Sequence, residues 1–188
     1  MKLLVNFAAF QVGWFACVLG AANALPWLGP VVVAAVVALH LVMARRPLPE
    51  LFLVLAAMAV GLLVDSLLLA TGWLRYSVGL WLPGLAPYWI ISMWALFATT
   101  LNVSMGWMSG RPIWAVLMGA AGGPLSYLAG EKLGAIELTQ PARALTALAF
   151  AWAIAMPLLM RLSARFDGVR EQLVPAFVQS DWRSSADA

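Results

Sequence analysis

Six apolar runs, each long enough to cross a bilayer, leave this chain little choice of architecture. They lie near residues 3–22, 27–44, 50–71, 87–107, 112–130 and 141–162. A helix needs ~20 residues to cross a ~30 Å hydrocarbon core, and these lengths match. Membrane strands alternate apolar and polar residues, so the unbroken runs exclude a barrel. The chain is 64% hydrophobic and 10% charged, against about half and a quarter in a soluble domain. The expected fold is all-α: a polytopic membrane bundle of six transmembrane helices, one domain over 1–162, then a polar tail over 163–188. The first run, with Lys2 ahead of it and Ala22-Asn-Ala24 behind it, also has the form of a signal peptide. Asn6 and Gln11 interrupt its apolar centre, so a retained helix is expected.

Orientation follows from the basic residues. With the amino terminus inside, Lys2, Arg45, Arg46, Arg111, Arg161, Arg165, Arg170 and Arg183 face the cytoplasm, against Arg75, Lys132 and Arg143 outside. Eight against three predicts that both termini and the tail are cytoplasmic. The net charge of +3 comes from cations at the ends of apolar runs, a topogenic pattern and not a nucleic-acid stripe. One cysteine, Cys17, excludes an internal disulfide and any multi-cysteine metal site. Nucleotide-binding, zinc-protease and hydrolase signatures are missing, so no metal or cofactor is expected.

Asp65, inside the third run, is the residue that chemistry must explain. A carboxylate in the membrane costs several kcal/mol unless neutral, paired or facing water. Counting back from Trp73 at 1.5 Å per residue puts it ~12 Å below the outer interface. Trp14 and Trp94 come to the same depth, and Trp152 to ~16 Å. Trp27, Trp73, Trp81, Trp89, Trp107 and Trp114 fall at run ends, where tryptophan normally concentrates. The loop after the third run, with Trp73, Tyr76 and Trp81, is read as lying among headgroups. The three deeper indoles are expected to line an outer-half cavity with Ser92, Gly123 and Pro124; plain bundle packing is the competing reading. Gly119 and Gly123 allow a close helix approach, and Pro124 removes a backbone donor. Asp65, Tyr127, Glu131 and Arg143 form the candidate acid–base set. Arg143 or Arg75 could pair with Asp65 or Glu131. Asn6, Gln11 and Asn102 are expected to act as interhelical polar contacts. His40, with no acidic partner evident, is placed with them.

Three stretches carry a resemblance: Asn6-Phe-Ala-Ala-Phe-Gln-Val-Gly-Trp14-Phe, Leu101-Asn-Val-Ser-Met-Gly-Trp107-Met, and Gly123-Pro-Leu-Ser-Tyr-Leu-Ala-Gly-Glu-Lys-Leu-Gly134. With Asp65 and the chain length, they resemble a bacterial inner-membrane family catalogued as domain of unknown function 2878. The resemblance covers nearly everything but the tail and transfers no residue roles. It implies a multi-pass protein of the bacterial inner membrane. Through the lipid-modifying and flavin-dependent enzymes encoded beside the family's genes, it also implies a link to membrane-lipid modification. Three functions remain in play. The first is binding or helping to modify a membrane lipid or other apolar molecule; the others are small proton-coupled transport and non-enzymatic scaffolding. A membrane lipid is the expected partner, with a second copy or another membrane protein also possible.

Overall fold

The computed structural model describes residues 3–169. It contains α1 (Leu3–Ala22), α2 (Leu28–Met43), α3 (Pro47–Ala70), β1 (Arg75–Tyr76), α4 (Tyr88–Leu101), α5 (Pro112–Lys132), β2 (Ile136–Glu137) and α6 (Pro141–Arg165). A single 3-10 turn, Gly106–Met108, precedes α5. The all-α bundle expected from the apolar runs is the fold observed. Of the tail, 163–165 belong to α6 and 170–188 fall outside the described residues.

Prolines start three of the helices. Pro47, Pro112 and Pro141 each occupy a first-turn position, where the missing N–H costs nothing and the fixed φ suits the helix. This moves the start of α3 back from 50 to 47. Glycines stop two of them: Gly72 and Gly134, at φ 69° and 83°, follow α3 and α5 as left-handed ends. The fourth run yields a shorter helix than its apolar length predicts. Thr99 and Thr100 bond back to the Leu96 and Phe97 carbonyls at 2.7 and 2.6 Å, competing with the helical ladder. Asn6 of α1 then seizes the end, donating to the Thr99 carbonyl at 2.9 Å and accepting from the Ser104 hydroxyl at 2.8 Å.

α4 is the axis of the bundle. Most of its side chains are buried, and it packs against α1, α2, α3 and α6. Around it the neighbours run α1, α2, α3, α6, α5, and α1 and α5 share no extended packing to close the ring. α1, α3, α5 and α6 are long and apolar enough to cross a membrane, whereas α2 and α4 are shorter. Only 28–33% of the residues in each long helix's apolar window are buried in the bundle. Exposed leucine, valine and phenylalanine cover the rest, so lipid must complete the burial and the chain is a membrane protein with transmembrane helices.

Two loops at one end are joined by a feature absent from the apolar pattern. β1 pairs antiparallel with β2, Arg75 opposite Glu137 and Tyr76 opposite Ile136. Thr139 adds a bond to the Gly72 carbonyl at 2.6 Å. The 72–87 loop therefore folds over the bundle. Trp81 is exposed, as a headgroup residue should be, but Tyr76 and Trp89 are buried, which corrects their interfacial reading. Trp89 donates to the Val78 carbonyl at 3.2 Å, using the loop's own backbone to satisfy its indole.

Candidate functional site

Asp65 is fully buried and is held by three neutral donors. Tyr76 donates to Oδ1 at 2.8 Å, Trp94 donates to Oδ2 at 2.7 Å, and the Tyr127 hydroxyl also donates to Oδ1. These come from the β1 loop, α4 and α5, so one carboxylate of α3 ties down three other parts of the chain. Burial, with Asp65 beside it, holds the Tyr76 phenol well above its usual range; it therefore stays a proton-bearing donor. Among the described residues, no arginine joins this group. Arg143 is exposed and donates to Gln140 at 2.7 Å, and Arg75 is exposed on β1. Glu131 is half-buried at the end of α5. Of the sequence-derived acid–base set, the fold brings Asp65 and Tyr127 together and leaves Glu131 and Arg143 out of their hydrogen-bonding group.

Beside this carboxylate, two indoles stack across four helices. Trp94 and Trp152 lie with centroids 4.5 Å apart and planes at 14°. Glycine backbone makes both ends of the stack possible: a Cβ on Gly61 of α3 would overlap the Trp94 ring, and one on Gly123 of α5 would overlap Trp152. Phe97 meets Trp152 edge-on at 5.3 Å, an arrangement that favours aromatic quadrupoles. The Trp152 Nε1 is buried and has no hydrogen-bond partner among the described residues.

These rings wall a cavity of about 430 Å³. It fills the gap between α1 and α5, with α4 and α6 behind it. α1 contributes Phe10, Gln11 and Trp14; α4 contributes Met93, Trp94 and Phe97; α5 contributes the strip from Met118 to Gly130; and α6 contributes Trp152 and Met156. The α5 strip alone extends ~18 Å. One polar bond crosses the gap, from Trp14 Nε1 to Ser126 Oγ at 3.1 Å. Gly122 lies at the mouth, where an added Cβ would meet nothing within 4 Å. A glycine inside a helix costs about 0.5–1 kcal/mol relative to alanine, and no close packing here requires that cost. Its consequence is an open mouth. Asp65 does not line the cavity; Tyr127 and Trp94 do, with their polar atoms turned away to Asp65.

The structure therefore gathers Trp14, Trp94, Trp152 and Gly123 around one space, together with Gln11, which sequence reading had treated as a packing contact. Ser92 instead bonds the Trp89 carbonyl at 2.8 Å. Pro124 sits beside the lining within an α5 that continues through it. Sequence reading missed Ser126, whose bond to Trp14 depends on the α1–α5 approach.

A second buried carboxylate was also missed. Glu50 binds His40 Nε2 through Oε2 at 2.8 Å. Its Oε1 accepts from Asn102 Nδ2 at 2.8 Å and from the Gly168 N–H at 2.7 Å. All three side chains are buried. This corrects one expectation: His40 has an acidic partner. A usable signal was present, since His40 and Glu50 lie at similar distances on either side of the α2–α3 turn and such positions face each other in a helical hairpin.

The chain belongs to the family described as "Protein of unknown function (DUF2878)", whose sequence profile matches residues 3–158. The matched region spans both buried carboxylates and the whole cavity, and ends before the Gly168 turn. No curated protein and no solved structure matches the chain.

Proposed function

We propose that the protein binds one long apolar molecule, the chain of a membrane lipid or a similar hydrocarbon, in the cleft between α1 and α5, and that it does so in a bacterial inner membrane. The observation that carries this reading is the cleft itself. It is elongated, walled by aromatic rings and methionines, and set in the one place where neighbouring helices leave the bundle unclosed. Its volume falls within the ~300–1,000 Å³ typical of small-molecule sites. An apolar chain gains by leaving neither water nor voids against those walls. Gln11 gives the lining a side-chain amide for a polar end group.

In this reading Asp65 and Tyr127 are positioning groups. The carboxylate holds an indole and a phenol in place as part of the cleft wall. A proton-coupled carrier would need a water path to Asp65, and the enclosure by Tyr76, Tyr127 and Trp94 favours binding over transport. The bacterial inner-membrane assignment draws on the arginine asymmetry and on the resemblance set out above.

The test is mass spectrometry of the intact protein released from native lipid, comparing wild type with Gly122→Phe. A side chain at that position starts from open space at the mouth, since an added Cβ meets nothing within 4 Å. Wild type should retain a defined long-chain molecule at about one per protein, and the variant should lose it at unchanged thermal stability. Identical, unselective lipid retention by both proteins would contradict the proposal.

A further inference from the structure

At the opposite end of α3 from Asp65, three arginines meet two phenyl rings. Arg45 and Arg46 of the α2–α3 turn, Arg165 of the last turn of α6, and Phe52 and Phe166 line an open pocket. The two rings lie 6.1 Å apart. Leu48, also lining it, and Phe52 are exposed toward the surface that lipid covers.

Buried bonds build this pocket, so it does not depend on flexible surface chains alone. The Gly168 N–H is held by Glu50, and the Arg46 N–H donates to the Gly168 carbonyl at 3.0 Å. A Cβ on Gly168 would overlap the Arg46 carbonyl oxygen. The turn after α6 is thereby clamped onto the turn before α3, which fixes Arg165 and Phe166 beside Arg46. The positive end of α3, a 24-residue helix with no side-chain cap, adds to the same potential. Among the described residues, Arg46 and Arg165 have no acidic side chain within ion-pair distance.

We propose that this pocket binds the phosphate of an anionic phospholipid, with guanidinium groups on its oxygens and its acyl chains lying along Leu48 and Phe52. Guanidinium geometry matches phosphate oxygens bidentately, and basic pockets between helices at the membrane surface suit such headgroups. The site is separate from the α1–α5 cleft and does not depend on its occupant.

The test uses the full chain in nanodiscs of phosphatidylcholine containing a minor share of phosphatidylglycerol, with lipid retention counted after mild delipidation. Phosphatidylglycerol should be retained in preference. Arg46→Gln or Arg165→Gln should each weaken retention about fivefold, and the pair about thirtyfold. Arg111→Gln, a cation at the start of α5 outside the pocket, should leave retention unchanged. Equal retention of the two lipids would overturn the proposal, as would a loss at Arg111→Gln matching that at Arg165→Gln. Displacement of the lipid by inorganic phosphate alone at comparable concentration would assign the site to a free anion and overturn it equally.

Discussion

α3 carries two buried carboxylates, Asp65 and Glu50, ~22 Å apart along one helix, and they do different work with similar means. Each accepts three hydrogen bonds from other parts of the chain. The donors to Asp65 are side chains on large rings: two phenols and an indole. The donors to Glu50 are an imidazole, an amide and a main-chain N–H. Bonds to rings fix where flat apolar surfaces stand, so Asp65 shapes the cavity. A bond to backbone fixes where the chain runs, so Glu50 fastens the end of α6 to the α2–α3 turn. A membrane carboxylate is thus read best by what its donors carry on their other side.

The comparison is broken most directly at Glu50. Glu50→Ala strands a buried imidazole, an amide and a backbone N–H, so a loss of about 3–5 kcal/mol is expected. Thermal unfolding in detergent should show it, together with faster proteolysis near Gly168. Asp65→Asn is milder, because the amide keeps one acceptor and turns its NH₂ toward donors. A loss of about 2 kcal/mol is expected, with a red shift of tryptophan emission as Trp94 loses its anchor. The smallest effects come from adjacent glycines. Gly123→Ala presses a methyl group into the Trp152 ring and should destabilise by at least about 1 kcal/mol. Gly122→Ala meets open space and should stabilise by about 0.5–1 kcal/mol. Equal effects at the two positions would show that the cleft is not open at Gly122.

The helices were legible because long apolar runs leave few alternatives, and all six became helices, four of them long and apolar enough to cross a membrane. Depth was legible for a related reason: a fixed rise per residue brings Asp65, Trp14, Trp94 and Trp152 to neighbouring levels. What escaped depends on contacts across long separations. Tyr76 beside a helix end has the look of an interfacial residue, and only the pairing of β1 with β2 turns it inward. Glu50, three residues after a first-turn proline, has the look of a dipole-favoured acid at a helix start; its burial needs Asn102 and Gly168 to arrive from elsewhere. α4 ends early because Asn6 lies 93 positions away from Thr99, beyond any local pattern.

The central claim is that Asp65 serves the cavity and Glu50 serves the fold. It is tested by titrating a long-chain lipid into detergent-purified Asp65→Asn and Glu50→Gln proteins at a temperature where both are folded, following intrinsic tryptophan fluorescence. The account predicts that Asp65→Asn weakens lipid binding at least about tenfold, the equivalent of ~1.4 kcal/mol, while Glu50→Gln binds as wild type does. Wild-type affinity in Asp65→Asn, or an equal loss in both variants, would contradict it.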